Sequence, residues 1–177
     1  MSNISRGADL LVGGWKLTGI TLLQTGSFLT PTFTGTDPSG TNPSQRSEGS
    51  FQRPDCVSGV NPDASNPTRD QYFNPAAFAV PANNIGRFGS CKVGILHGPG
   101  TKTFSASVGK QFKLTEHVAL GYEAQFANLF NITNLGLPNT RFANGGSPNP
   151  SFGKITSTQQ GEQAGPRTVQ MSLRLSF

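Results

Sequence analysis

The last eleven residues of the chain, from Arg167 to Phe177, alternate strictly between apolar and polar side chains after the first position. A period of two indicates an extended strand with one apolar and one polar face. A strand of a soluble β-sandwich can alternate in this way too. However, one face is polar throughout, and the segment has about the length of a membrane-spanning strand, roughly 9–11 residues. The segment is therefore more typical of a transmembrane β-barrel. Its apolar residues are Val169, Met171, Leu173, Leu175 and Phe177, and its polar residues are Thr168, Gln170, Ser172, Arg174 and Ser176.

The composition agrees with this interpretation. Of the 177 residues 34% are hydrophobic and 13% charged, and there are 22 glycines and 13 prolines. Such a chain suits a β protein with long polar loops, or a barrel whose apolar residues face outward at every second position. No run approaches the roughly 18 apolar residues of a transmembrane helix. The N-terminal residues lack the layout of a secretory signal, so we expect an upstream start or a fragment of a longer chain.

Charge and motif content bear on the class of function. The net charge of +5 is modest, and the lysines and arginines are scattered without regular aromatic interleaving, so no nucleic-acid partner is expected. The chain has no nucleophile elbow, phosphate-binding loop or zinc-binding spacing. His97 and His117 lie on different predicted elements, which argues against a metal site. We therefore predict no enzymatic activity, no cofactor and no metal.

Four segments have the pattern of barrel strands. In the first, Trp15 and Ile20 lie on opposite parities, which predicts a bulge or a twist near Gly19. Trp15 begins this strand, at a position typical of an aromatic girdle as well as of an ordinary core. In the second, Lys110 is an exception among the apolar positions. The four predicted strands cover residues 13–26, 101–114, 117–130 and 167–177.

The remaining segments, 28–100 and 131–166, are predicted to be two long loops. They are rich in Pro, Gly and Asn, and repeated Asn-Pro pairs deny a continuous strand. Loops this long are unusual in a compact soluble domain but ordinary on the extracellular side of a large barrel. Both lie at one end of the strands, and a short turn lies at the other. The predicted fold is all-β: a portion of an antiparallel up-and-down transmembrane β-barrel with about four strands.

Cys56 and Cys91 both fall in the first long loop. An even number of cysteines in an exported loop favours a disulfide, with two unpaired thiols as the alternative. Closing a loop of about 36 residues would stabilise the fold by roughly 4 kcal/mol in the chain-entropy model.

Aromatic residues of the first loop are candidates for ligand contact, because their rings can stack on a sugar or a peptide. The alternative, which we favour, is that the loop packs on itself, since a long ordered loop must bury something. The candidates are Phe51, Tyr72, Phe73, Phe78 and Phe88.

Several short motifs occur along nearly the whole chain. Each alone is weak, but together and in this order they resemble the C-terminal β-barrel region of TonB-dependent outer-membrane receptors, especially the type with a carboxypeptidase-regulatory-like N-terminal domain. The motifs are Gly13–Ile20 (GGWKLTGI), Gln24–Phe28 (QTGSF), Tyr72–Phe78 (YFNPAAF), Gly98–Gly100 (GPG), Phe112–Glu116 (FKLTE), Ala127–Asn134 (ANLFNITN), Phe152–Thr156 (FGKIT) and Leu173–Phe177 (LRLSF).

The resemblance implies a bacterial outer-membrane location and a plugged barrel of about 22 strands. It implies active import of a scarce nutrient, such as a glycan, a peptide or a metal chelate. The implied partners are outer-membrane lipid, the remaining barrel strands and plug, the barrel-assembly machinery and a periplasmic energy-coupling protein. It also identifies Leu173, Leu175 and Phe177 as a C-terminal assembly signal. With four candidate strands and no room for a plug, residues 1–177 are expected to be the C-terminal part of such a barrel.

Two other interpretations remain open at this point. One is a short outer-membrane chain that contributes its strands to a shared oligomeric barrel, and the other is a soluble β-rich surface-binding module. The reading frame upstream of Met1 distinguishes them, because further barrel strands are expected there only for a receptor. Under the barrel interpretations the first and last strands leave unpaired edges and an exposed apolar face, so we expect the isolated chain to depend on detergent or on a larger assembly.

Overall fold

The structure, a computed structural model, describes residues 12–41, 52–160 and 164–177. Most of the regular structure in these ranges is β-strand, and a short 3₁₀ turn lies at Pro75–Ala77. None of the helical segments described is long and apolar enough to cross a membrane. The strands are β1 (Trp15–Gln24), β2 (Phe28–Leu29), β3 (Thr32–Phe33), β4 (Asp55–Cys56), β5 (Phe78–Ala79), β6 (Leu96–His97), β7 (Thr101–Lys113), β8 (Ala119–Ala127), β9 (Arg141–Asn144), β10 (Ser147–Pro148) and β11 (Thr168–Ser176).

The chain divides into two compact units. The sheet unit contains the four long strands and comprises the chain up to Gln24 together with Thr101–Asn134 and Gln159–Phe177. The loop unit comprises Thr25–Gly100 and Leu135–Thr158.

The sheet unit is an open, four-stranded antiparallel meander in the order β1-β7-β8-β11. Neighbours in the sheet are also successive long strands of the chain, which confirms the predicted all-β, up-and-down architecture. β1 and β11 are the two edges of this sheet, so the described strands do not close into a barrel.

The register of the sheet separates its side chains into an apolar and a polar face. Residues directly opposite each other on antiparallel strands share a face. Leu173 is opposite Tyr122, and Gln170 is opposite Gln125, so the predicted parity of the last strand is confirmed and β8 follows the same division. The apolar face carries Trp15, Leu17, Phe104, Val108, Phe112, Leu120, Tyr122, Phe126, Val169, Met171, Leu173 and Leu175. The polar face carries Lys16, Thr18, Ser105, Ser107, Gln111, Glu123, Gln125, Gln170, Ser172 and Arg174.

The bulge predicted near Gly19 does not occur. The pairing of β1 with β7 runs without a register shift from Trp15 opposite Lys110 to Gln24 opposite Thr101. A Cβ atom at Gly19 would lie 3.7 Å from the carbonyl oxygen of Ser105, an ordinary van der Waals distance, so no close approach forces the chain to bulge there. As a consequence, β1 places two apolar side chains on the otherwise polar face, namely Ile20 and Leu22.

Both long connections leave the sheet at the same end. The β1–β7 pairing ends there at Gln24 and Thr101, and the β8–β11 pairing at Ala127 and Thr168. At the other end a tight turn joins β7 to β8, closed by a hydrogen bond that the Leu114 backbone N–H donates to the carbonyl of Val118 (2.9 Å). This asymmetry agrees with the predicted order of long loops and short turn.

The segments predicted as long loops contain short strands and a common core. β3 pairs in parallel with β9, which joins the first connection to the second. Because prolines interrupt the backbone hydrogen bonding, these strands are only two to four residues long. Their stability therefore depends on burial of side chains. The buried cluster consists of Phe33, Phe73, Ala77, Phe78, Cys91, Leu96, Phe142, Ala143 and Phe152.

Asn128 lies directly after β8. Its hydrogen bonds hold both ends of the connection that leads from β8 to β11. It adopts a left-handed backbone conformation (φ 50°) that asparagine tolerates better than most residues. Its buried side-chain amide donates to the carbonyls of Ile132 (2.9 Å) and Gly165 (2.8 Å), and its Oδ1 accepts from the Ile132 backbone N–H (2.9 Å). The strand therefore stops at Ala127, three residues before the predicted end.

Two further asparagines in the same motif, spaced by three residues, complete this fastening. Asn131 Oδ1 accepts a hydrogen bond from the Arg167 backbone N–H (3.1 Å), directly before β11. Asn134 Oδ1 accepts from the Lys102 backbone N–H (2.8 Å), and its amide donates to the carbonyl of Ala164 (3.3 Å). We call Asn128, Asn131 and Asn134 the asparagine latch.

We predict that Asn128→Ala lowers the free energy of unfolding by about 3 kcal/mol, because it removes buried hydrogen bonds and leaves a Cβ-bearing residue in the left-handed region. Asn128→Gly, which loses the same hydrogen bonds without that backbone strain, should be less destabilised than the alanine variant. Urea titration of the detergent-solubilised chain, followed by the fluorescence of its one tryptophan, Trp15, measures both. An alanine variant as stable as the parent contradicts the assignment.

Candidate functional site

The polar face of the sheet forms an open cleft with the chemistry of a hydrated channel wall. Its lining includes Thr18, Ser105, Ser107, Glu123, Gln125 and Gln170. The hydroxyls of Thr18 and Ser107 are hydrogen-bonded to each other (2.6 Å), and Gln125 Nε2 donates to the carboxylate of Glu123 (3.2 Å). Hydroxyl and amide groups of this kind exchange hydrogen bonds readily with water or a polar solute.

Positive charge on the polar face lies toward the end of the short turn. Lys16 pairs with Gly109 in β7, which in turn pairs with Glu123. Arg174 lies two residues further toward the turn, opposite Gly121. The polar face therefore carries basic side chains near the short turn, and beyond them the cleft is lined by the Glu123 carboxylate, by hydroxyls and amides, and by Ile20 and Leu22.

Aromatic rings cover one of the two lysines on the apolar face, Lys110, whereas the other, Lys102, is exposed. Lys110 is only 6% exposed, and its Nζ lies 4.4 Å from the centre of the Trp15 ring and 5.3 Å from that of Phe112. Contacts of a cation with aromatic faces offset part of its desolvation. Trp15 lies at the start of β1, near the short-turn end, where an interfacial aromatic belt is expected in a barrel.

The loop aromatics that the sequence suggested for ligand contact have different environments. Phe73 and Phe78 are buried in the core of the loop unit and are not accessible to a ligand, so the candidate role in ligand contact is corrected for both and the favoured alternative, that the loop packs on itself, applies. Tyr72 is half-buried and packs edge-on against Phe73 (5.5 Å between ring centres). Phe88 is 58% exposed and remains a candidate, whereas Phe51 lies outside the described residues.

Phe73 and Phe78 are buried because the loop unit needs apolar side chains in its core to remain folded. Phe78, Phe142 and Phe152 contact one another with ring centres 5.5–5.6 Å apart, and Phe73 lies 5.7 Å from Phe152. Rings at these distances pack favourably in tilted and edge-to-face arrangements. Phe142 and Phe152 come from the second connection. The sequence of the first connection alone therefore did not reveal that Phe73 and Phe78 pack against them.

The predicted disulfide between Cys56 and Cys91 is confirmed. The two sulfur atoms are 2.05 Å apart, and the Cα atoms are 4.9 Å apart. Cys56 lies in β4 opposite Phe78 of β5, so the bridge adjoins the aromatic core. Arg53 Nη1 donates to the carbonyl oxygen of Cys91 (2.8 Å), which further holds the bridged segment.

An ion pair beside the disulfide was not evident in the sequence. The guanidinium of Arg87 donates to both carboxylate oxygens of Asp55 (2.7 and 2.8 Å), and the Ser90 backbone N–H donates to the same carboxylate (2.8 Å). The hydrogen bond from Arg87 is the main reason that the pKa of Asp55 is lowered to about 2. The two residues are too far apart in the chain for any local pattern to pair them.

The residues of the suggested assembly signal lie exposed on the edge strand. Leu173 and Leu175 occupy the apolar face of β11, and Phe177, directly after the strand, is 97% exposed. They form an accessible apolar stripe at the C-terminal end of the chain. Their role in assembly stays a prediction.

Comparison with known proteins gives one family. The model of a family described as outer membrane beta barrel domain matches residues 1–170. No curated protein and no solved structure matches the chain. The family match covers β1, β7 and β8 and extends into β11.

We predict that reduction of the Cys56–Cys91 bridge destabilises the loop unit by about 4 kcal/mol, because the unfolded chain gains conformational entropy when the closed loop is opened. Trypsin digestion of the detergent-solubilised chain, with and without reductant, should show faster cleavage after Arg69 and Lys92 when the bridge is open. The Cys56→Ser/Cys91→Ser variant should match the reduced parent and not respond to reductant. Equal cleavage rates in all samples contradict this prediction.

We also predict that the Asp55–Arg87 pair stabilises the protein above about pH 4 and that this contribution is lost as the pH falls toward 2. The sign follows because the folded state holds the Asp55 pKa at about 2, below its value in the unfolded chain. Arg87→Gln should therefore flatten the dependence of unfolding free energy on pH in this window. The matched control Arg69→Gln, at an exposed arginine of the same unit, should leave the profile unchanged. Identical profiles for parent and Arg87→Gln refute the claim.

Proposed function

The chain belongs to the outer-membrane β-barrel domain family and is located in the bacterial outer membrane, and from this we propose that it forms the C-terminal part of the barrel of a TonB-dependent receptor. In this role the barrel takes up a scarce nutrient at the expense of energy supplied from the periplasm. The observation that carries the proposal is the pair of open edges, β1 and β11, on a sheet with one continuous apolar face.

The proposed mechanism assigns a different task to each surface. The apolar face contacts lipid, with Trp15 and the covered Lys110 at the periplasmic boundary. The polar face lines the lumen beside a plug. The loop unit captures the nutrient outside the cell, and a rearranged plug then admits it through coupling to a periplasmic partner. Further strands pair with β1 and β11, since an unpaired edge is not stable in lipid.

The runner-up is a shared barrel built from several copies of this chain. The same open edges favour it, because β11 of one copy and β1 of the next run in opposite directions along the sheet. A soluble surface module is disfavoured by the family match and by the exposed apolar face. Enzymatic activity is not part of the proposal.

Growth phenotypes test the receptor proposal. A strain that lacks this gene and a strain that lacks the energy-coupling protein should fail on the same sole iron or carbon source, and reintroduction of the gene should restore growth only where coupling is intact. Growth of the coupling mutant on a source that the gene mutant cannot use contradicts energy-dependent uptake.

Assembly in the membrane separates the receptor from the shared barrel. Unheated electrophoresis of the outer membrane should show a band larger than this 18.7 kDa chain that contains a single copy of it. A band composed only of several copies supports the shared barrel. In the same membranes Leu173→Asp should reduce the amount of inserted protein, whereas Ser172→Asp, on the polar face, should not.

A further inference from the structure

A polar groove lies on the surface of the loop unit. The residues that line it come from the segment of the chain between β4 and β5. Its lining contains carboxamide, hydroxyl and carboxylate side chains and no lysine or arginine. We call it the amide groove; it includes Asn61, Asp63, Ser65, Asn66, Gln71 and Asn74.

Hydrogen bonds within the wall of the amide groove fix its shape. Asn61 Oδ1 accepts from the Asp63 backbone N–H (3.0 Å), and the Asn74 side chain donates to the Asn61 carbonyl (3.0 Å). The Gln71 backbone N–H donates to Thr68 Oγ1 (3.1 Å). Prolines after Asn61 and at position 67 also restrict the backbone. A groove held in this way loses little conformational entropy when it binds a ligand.

Three side chains on the groove are available to a ligand. Ser65, Asn66 and Gln71 are exposed, and within the part of the chain that the structure describes their side chains make no hydrogen bond. Two amides provide both donors and acceptors, and the serine hydroxyl provides one more of each. The groups therefore match a ligand that itself carries both donors and acceptors.

An aromatic pair adjoins the groove through Asp63. His97 Nδ1 lies 3.3 Å from the Asp63 carboxylate, and the His97 ring packs edge-on against Phe28 with 5.0 Å between centres. Pairing of β2 with β6 places Phe28 opposite His97, and the Phe28 side chain is 71% exposed. An exposed ring beside hydrogen-bonding groups offers an apolar surface for the C–H face of a ligand.

Other ligand classes fit these groups poorly. An anion would meet the charge of Asp63 without a cation in the groove lining. A bound metal needs several ligands, and among the described residues no cluster of three His, Cys, Asp or Glu side chains exists. A purely apolar ligand would leave the amides without partners. We propose that the amide groove and the adjoining Phe28 form a binding site for a neutral oligosaccharide.

This inference rests on the proposed capture of a nutrient by the loop unit and names its chemical class. The test uses the full chain, oxidised and refolded in lauryldimethylamine oxide, a detergent without a sugar headgroup. Calorimetric titration with maltohexaose, cellohexaose, laminarihexaose and mannohexaose should give saturable binding for at least one. Asn66→Ala, Gln71→Ala and Phe28→Ala should each weaken that binding about tenfold, the loss expected for one good contact.

Matched controls locate the binding. Gln160→Ala and Phe130→Ala, at an exposed glutamine and an exposed phenylalanine of the sheet unit, should leave the affinity unchanged. The rate of trypsin cleavage after Arg69 and Lys92, compared with that of the parent, shows that each variant has folded. Absence of binding by a correctly folded chain overturns the proposal, and so does equal affinity in parent and groove variants. The growth phenotypes above do not enter this result, so the failure of either proposal is distinguishable from that of the other.

Discussion

Backbone hydrogen bonding at the two open edges of the sheet sets the conditions under which the other contacts of the sheet unit form. Along β1 and β11 one row of backbone N–H and C=O groups has no partner strand among the described residues. Inside a bilayer no water compensates such groups, so each unpaired one costs several kcal/mol. The apolar face has a separate requirement, because it is stable only in contact with lipid. Both demands are met together only when further strands extend the sheet.

The sheet was predictable from the sequence because its determinants are local. Alternation fixes which side chains share a face, and the short turn between β7 and β8 sets the register of those two strands, with Val108 opposite Ala124. The strand ends were predicted less well, because Asn128 stops β8 through bonds to Gly165, far along the chain. The continuous pairing through Gly19 also escaped prediction, since the polar face tolerates Ile20 without a bulge.

Packing of the first long loop on itself was predicted, but its packing partners were not, because the contacts of the loop unit join segments distant in sequence. The pairing of β3 with β9 and the packing of Phe78 on Phe142 connect the two long connections, and neither leaves a periodic signal. Of the suggested ligand contacts, Phe73 and Phe78 serve this core instead. The cysteine pair was the exception, because an even count in one loop is a signal that needs no knowledge of the partners.

The two units therefore depend on different surroundings. The sheet unit needs lipid and neighbouring strands, whereas the loop unit has its own aromatic core and a disulfide that forms only outside the reducing cytosol. The asparagine latch lies where the chain passes between them, and Asn134 is the last residue before the second connection enters the loop unit. Because latch bonds are made to backbone groups at the start of β7 and directly before β11, they fix where both long connections depart from the sheet. Variation within the loops can then alter recognition without disturbing the register of the strands.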